Sequence, residues 1–186
     1  MPAITFKEIN DLGFAKKFHY VIHKDVKIHD SVRIEPFILI EDNVEIGENT
    51  IIAPFTQIRQ NCKIGSNCKI GAGSVFEGNV KMGNKVRVGT NCNFGWGTVV
   101  GNNVFIGNNW IGANDKLMVW GSDKEKDFVP VSYIIEDNVR IGLNSSCLGG
   151  ITIGHDSIIG MGSFLVKDVP PFSKTYGNPA KITRIK

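Results

Sequence analysis

Side chains equipped for chemistry are few in this sequence and lie far apart. Its four histidines are His19, His23, His29 and His155, and its four cysteines are Cys62, Cys68, Cys92 and Cys147. The first three histidines would have to converge to hold a metal. Turn spacing spreads them over different parts of the surface, so they read as solvated groups. Cys62 and Cys68 are not at a zinc spacing, and all four cysteines read as buried thiols acting as small hydrophobes, so no metal is expected. What remains is Asn114-Asp115-Lys116, at the opening of a charge-rich stretch from Ala113 to Tyr133, with Trp96 before it and Trp120 inside it. A carboxylate can hold an ammonium or accept its proton, an amide can orient an amine or a carbonyl oxygen, and an indole offers a stacking face. The plain alternatives are that Asn114 and Asp115 only open a loop as turn residues and that Trp96 packs at a subunit interface.

The elements that must position these residues follow from a sixfold period. Every sixth residue from Ile22 to Ile106 is apolar: Ile22, Ile28, Ile34, Ile40, Ile46, Ile52, Ile58, Ile64, Ile70, Phe76, Met82, Val88, Phe94, Val100 and Ile106. This period is neither the 3.6 of a helix nor the alternation of a two-faced strand, so it marks an internal repeat. Two residues before these positions stand small or β-branched side chains, among them Val44, Thr50, Cys62, Cys68, Ser74, Cys92 and Thr98. Glycine often follows the large residue (Gly47, Gly65, Gly71) and asparagine often stands three before it (Asn43, Asn49, Asn61). Both tolerate positive φ, which predicts a turn every six residues between very short strands.

The period breaks at Trp110-Ile111-Gly112, where a tryptophan takes the small position and a glycine the large one, an apparent exchange of volumes. It resumes at Ile135 and runs through Ile141, Cys147, Ile153, Ile159 and Leu165. The expected organisation is one domain: an N-terminal cap over 1–20, coils over 21–112, an inserted loop over 113–133, coils over 134–169 and a tail over 170–186. About seven coils of three hexads result, with Val169-Pro170-Pro171 ending the strand pattern. A long loop held at both ends by rigid coils points to function.

The chain has 186 residues, 42% of them hydrophobic, and a formal net charge of +3. No apolar run is long enough for a transmembrane helix, and the N-terminal residues carry charge where a signal peptide needs its apolar segment, so a cytoplasmic protein is expected. The charge suits anionic ligands only weakly. Basic residues are scattered through the repeats without a run, which argues against a nucleic-acid polymer or a membrane as partner.

The repeat, with Ile-Gly-Leu-Asn-Ser-Ser at 141–146, Gly-Gly-Ile-Thr-Ile-Gly at 149–154, Ile-Gly-Met-Gly-Ser at 159–163, Lys-Asp-Val-Pro at 167–170 and Gly-Asn-Pro-Ala-Lys at 177–181, resembles the acyl-CoA-dependent acyltransferases of the hexapeptide-repeat family. That resemblance implies an all-β fold, a left-handed parallel β-helix, assembled as a homotrimer. It also implies acetyl-CoA as cosubstrate in a groove between subunits. By motif, Gly162 and Ser163 would meet the pantetheine arm through their backbone, Lys167 and Lys181 the phosphates, and Pro179 and Ala180 the adenine end. The alternative for each is an ordinary turn or surface residue. Where many relatives carry a threonine before the motif lysine, this chain has Val166.

Sugar O-acetyltransferases of the family carry a histidine base at the start of the inserted loop, where this chain has Asn114 and Asp115. A sugar hydroxyl needs such a base to attack a thioester, whereas a neutral amine attacks directly. The Asn-Asp-Lys run resembles the N-acetyltransferases that act on nucleotide-linked amino sugars. It implies Asp115 as the group that holds or deprotonates the ammonium and Asn114 as the orienting amide. Lys116, Trp96 and Trp120 become candidate substrate contacts, and a 3-amino deoxysugar is favoured. The nearest rival is an O-acetyltransferase using His155. More distant ones are a γ-type carbonic anhydrase and a non-catalytic solenoid.

Overall fold

In the computed structural model, which describes residues 4–5, 7, 20–115 and 129–184, the hexads become strands of mostly two residues joined by corners. Successive strands fall on three parallel sheets, so the chain coils as a three-sided prism. We call the sheets faces one, two and three in the order the coils visit them from Tyr20 onward. Face one holds eight strands, from Tyr20–Ile22 to Phe164–Leu165. Face two holds seven, from Lys27–Ile28 to Thr152–Ile153. Face three holds ten, including the added strands Ile4–Thr5 at one end and Lys181–Arg184 at the other. The first, second and third corners follow faces one, two and three.

The sixfold column forms the core. Each of its members from Ile28 to Ile106 is buried, and the small column packs beside it. Phe76 and Phe94 stack on neighbouring rungs with centroids 4.8 Å apart. Each such aliphatic or ring contributes about 1.5–3 kcal/mol by leaving water. Polar members of the small column find partners in the coil ladder: Thr50 Oγ1 donates to Gly65 O at 2.9 Å and accepts from Cys68 N at 3.1 Å.

The asparagines behave as their type predicts. Asn43, Asn49, Asn61, Asn67, Asn79, Asn91, Asn103 and Asn109 all adopt φ between 52° and 60°. The glycines after the large residues serve a different purpose from the one expected. Gly71 has no positive φ; a Cβ there would meet Gly89 O of the next coil at 2.3 Å, so it is needed for close approach between corners.

Eight coils are built where the hexad count predicts about seven. One extra rung on face one is Ile111–Gly112, which pairs with Asn93–Phe94 below and Ser146–Cys147 above although glycine occupies the inward position. Tyr133 fills the missing volume: it is fully buried, and a Cβ on Gly112 would lie 2.0 Å from its Cε1. Trp110 Nε1 donates to the Tyr133 hydroxyl at 3.2 Å, and the rings meet edge to face. Tyr133, placed at the end of the loop by sequence, is therefore a core residue. The prolines do not end the coiling either. Val169 bridges to Ile153, and Ser173–Tyr176 continues face three beside Ile158–Ile159. Pro170 and Pro171 occupy the corner between, where the ladder asks less of a backbone donor.

At the N-terminus Ile4–Thr5 pairs antiparallel with Arg33–Ile34, covering that edge strand. Leu12, Phe14 and Phe18, expected in the cap, lie outside the described residues, as do His19, Lys116 and Trp120. No helix among the described residues is long and apolar enough to cross a membrane.

The cysteines are free and buried. Burial pushes the Cys62 thiol up to about 11 and raises Cys68, Cys92, Cys147 and the Tyr133 hydroxyl as well. These groups hold their protons more tightly folded than unfolded. The stability they contribute is therefore fully present below the ordinary thiol value of 9.0 and is lost as pH rises towards about 11. The urea midpoint is expected to fall steadily over that window; a flat profile would mean that the thiols are accessible to water.

Candidate active site

The first corner gathers most of the chemistry. Trp96 follows the Asn93–Phe94 strand, and one coil further on Asn114 and Asp115 follow Ile111–Gly112 at the same corner. Two coils beyond that, Lys167 follows Phe164–Leu165. At about 4.8 Å per coil, Trp96 and Lys167 bracket the loop start along one edge of the prism. The indole of Trp96 is 42% exposed and lies over Gly78, whose position would bring a Cβ within 3.4 Å of the indole Cδ1. Below it, Arg59 pairs with Glu77 at 3.5 Å, and Asn93 Nδ2 donates to Glu77 Oε1.

The feet of the loop are fixed by the coils on either side. Val131 N donates to Asn114 O at 2.9 Å, closing the loop base. Ala113 N donates to Cys147 O, and Gly150 N to Ser132 O. The Ser132 hydroxyl donates to Trp96 O at 3.1 Å, tying the outgoing foot to the tryptophan's coil. Gly149 leaves room for this crossing: a Cβ there would lie 2.5 Å from Val131 O and 3.0 Å from Ala113 O. Ser132 carries no signal in the sequence, and Gly149 enters it only within the 149–154 motif, not as a contact of the loop. The paired glycines 149–150 were the available signal, since such a pair marks close backbone approach. Asn114 and Asp115 are half-buried at this anchored base.

The residues matched to the cofactor divide between two corners. Gly162 lies at the third corner with open space where a side chain would be. Its N–H goes to Leu143 O, while Ser163 N goes to Ser145 Oγ and Ser163 O accepts from Ser146 N. The Ser163 side chain is buried and donates to Gly160 O. The tail folds back over the same strand, with Phe164 N donating to Gly177 O and Ala180 N to Phe164 O. Ala180 is buried and caps the core, whereas Pro179 and Lys181 are exposed. Lys167 is exposed at the first corner, so within one chain it does not meet Lys181 across a single pocket.

His155 stands at the second corner. Its Nδ1 is 2.8 Å from Asp156 Oδ2, its ring meets Phe172 edge to face, and its N–H donates to Glu136. It borders a cleft of about 560 Å³ that also includes Val99, Ile134 and Asp137. Asp137 there accepts from Asn102 N, so the acids of this cleft are engaged within the fold. His23 shares the first corner with Asp115 but lies five coils below it. Among the described residues no group of three His, Cys, Asp or Glu is placed to hold a metal ion.

Two family models match the chain: the bacterial transferase hexapeptide (six repeats) over residues 43–78 and the hexapeptide repeat of succinyl-transferase over 133–167. A putative acetyltransferase of Schizosaccharomyces pombe is 48% identical over 50 residues, covering 27% of this chain and 24% of that protein. The 2,3,4,5-tetrahydropyridine-2,6-dicarboxylate N-acetyltransferase of Clostridium perfringens is 47% identical over 51 residues, 27% of this chain and 22% of that protein. The chain thus spans about a quarter of the length of the curated relatives it matches. Among solved structures, a mutant of AntD, an N-acyltransferase from Bacillus cereus in complex with dTDP and coenzyme A, superposes with a TM-score of 0.61 at 17% identity, covering 99% of this chain and 90% of that one. The UDP-N-acetylglucosamine O-acyltransferase of Moraxella catarrhalis gives a TM-score of 0.56 at 23% identity, covering 88% and 71%. The fold is a left-handed parallel β-helix. Over these two stretches, 43–78 and 133–167, the chain is similar to the hexapeptide-repeat family.

Proposed function

We propose that this protein is an acetyl-CoA-dependent N-acetyltransferase that acts on the amino group of a nucleotide-linked deoxysugar, with a 3-amino group favoured. The observation that carries this reading is Asn114-Asp115 at the anchored base of the inserted loop, one coil from the exposed face of Trp96. It is supported by relatives named as acetyltransferases, including an N-acetyltransferase. The related fold of AntD, which holds dTDP and coenzyme A, is in keeping with it.

In the proposed reaction the acceptor arrives as an ammonium held by Asp115, which takes its proton or passes it to water. The neutral amine attacks the thioester carbon; the C–S bond breaks, the sulfur leaves as thiolate, and the attacking nitrogen's remaining extra proton goes to that thiolate or to water. Asn114 orients the amine or the thioester oxygen. Proximity supplies much of the acceleration, because both reactants are held in one groove. Gly162 gives an open passage for the pantetheine arm, and Lys167 and Lys181 supply ammonium groups suited to phosphate. Since these two lysines lie on different corners, the reading calls for a homotrimer, in which a groove between subunits brings one chain's first corner to its neighbour. A cytoplasmic enzyme with access to acetyl-CoA and activated sugars fits this chemistry.

The O-acetyl alternative relies on His155, which is tied to Asp156 and Phe172 at another corner. His155→Ala is expected to leave kcat for an amine acceptor within about twofold, because the residue is not in the proposed machinery. A loss of about 100-fold or more, the usual scale for removing a general base, would transfer the base to His155 and contradict the reading.

A further inference from the structure

The basic residues that look scattered in sequence are gathered by the coil. On face three the outward positions, rung by rung, are Arg33, Ile51, Lys69, Arg87, Phe105, Arg140, Ile158 and Lys174. Five of the eight are cations and none is an acid. The other faces differ. On face two Glu45 sits between Lys27 and Lys63 on adjacent rungs, 3.3 Å from each ammonium, and their hydrogen bonds and charges hold its carboxyl below the usual range. Face one carries no charged residue at its outward rungs from Leu39 to Phe164.

Lys69 and Arg87 are direct cross-strand partners, an arrangement in which like charges oppose pairing. Among the described residues neither makes an ion pair or a side-chain hydrogen bond, so no acid relieves the repulsion as Glu45 does on face two. Arg87 is in turn the cross-strand partner of Phe105, whose ring is 41% exposed. These three side chains line a cleft of about 280 Å³ that continues onto the third corner. Gly71, Gly89, Thr90 and Asn108 line it there. Asn108 Oδ1 accepts from Thr90 N at 3.1 Å, which turns the Nδ2 donors of the same amide away from that bond.

We propose that this cleft is a nucleotide site, with a phosphate between Lys69 and Arg87 and the base against Phe105. A guanidinium and an ammonium complement phosphate oxygens as a bidentate fork and a point charge. The exposed ring two rungs from Lys69, about 10 Å away, gives the base a stacking face within reach of a nucleoside phosphate. At about 280 Å³ the cleft is just below the usual range for ligand pockets, a size for a mononucleotide and not for a larger ligand. Within one chain the cleft lies apart from the loop, since the first corner joins the two faces that do not carry it, and the Lys69 and Arg87 variants test it whether or not the acyl-transfer reading holds.

Calorimetric titration at low salt with AMP, UMP, inorganic phosphate and uridine tests it. AMP or UMP is expected to bind saturably, more tightly than phosphate, with uridine giving no signal. Lys69→Ala and Arg87→Ala should each weaken nucleotide binding about tenfold, the worth of one charge-assisted hydrogen bond. Phe105→Ala should weaken the nucleotide and leave phosphate unchanged. Lys81→Ala, an exposed cation on face two outside the cleft, should leave both unchanged. Circular dichroism confirms that these surface variants fold. The assignment is overturned if neither nucleotide binds, if phosphate binds as tightly as either nucleotide, or if binding depends on Lys81 and not on Lys69 and Arg87.

Discussion

Replacing Gly112 with alanine is expected to destabilise the protein by about 3 kcal/mol, the upper part of the usual range for overpacking a core. The added methyl group would lie 2.0 Å from Tyr133 Cε1 and 2.1 Å from Cζ. The ring has little freedom to withdraw, because its hydroxyl accepts from Trp110 Nε1 and donates to Asn93 O. The converse variant, Tyr133→Ala, leaves a cavity beside a residue with no side chain and is expected to cost about 3–5 kcal/mol. Combining Gly112→Ile with Tyr133→Ala restores the aliphatic rung found elsewhere in the column. The double variant should therefore lose about 2 kcal/mol less than the sum of Gly112→Ile and Tyr133→Ala made singly, a coupling typical of residues in contact. Urea unfolding followed by circular dichroism measures each variant; simple additivity would mean that Tyr133 does not substitute for the missing side chain. Because Ser132, next to Tyr133, ties the outgoing foot of the loop to Trp96, Tyr133→Ala should also lower turnover.

The same pair explains what the sequence could and could not disclose about the fold. A strict sixfold column is legible because each coil needs three equivalent inward positions, and every one counted from Ile28 to Ile106 is apolar and buried. Asparagine at positive φ is legible for a similarly local reason. The volume exchange at Gly112 is only half legible. Trp110 and Tyr133 both stand two residues before an inward position, but the inserted loop separates them, and their contact depends on tertiary closure. The partners Ile106 and Ile141 are 35 residues apart where 18 is the rule, as for Val88 and Ile106, so the insertion adds 17 residues and hides the continuity of the column. The last coil was hidden by a local rule applied too far. Proline ends a strand only where the ladder needs its N–H, and a corner does not.

Asp115→Asn is expected to lower kcat/KM for an amine acceptor about 100-fold near neutral pH, the lower end of the range for loss of a positioned acid or base. Asparagine preserves the shape at the loop base but can neither neutralise an ammonium nor take its proton. The deficit should shrink as pH rises, because solvent then supplies neutral amine without help from the carboxylate. Steady-state kinetics over a pH series reads both effects. Turnover and acceptor KM that match the unmodified enzyme at every pH would remove Asp115 from the site.

The candidate site was legible to the extent that it follows the coil period. Trp96 and Asn114 are 18 residues apart, one coil, so their common corner can be counted from the sequence. The foot contacts of Ser132 and Gly149 cannot, because they depend on how the loop returns. Motif residues close to one another near the C-terminus are parted by the prism, with Lys167 at one corner and Gly162 at another. The basic column of face three shows the same geometry in reverse: residues 18 apart look unrelated along the chain and become neighbours across it.

The most direct test of the proposed activity is release of coenzyme A thiol from acetyl-CoA, measured against matched pairs of nucleotide sugars that carry either an amino or a hydroxyl group at the same carbon. Release with the amino member of a pair and background rates with its hydroxyl counterpart is the predicted result. Release with the hydroxyl sugars alone would contradict the account.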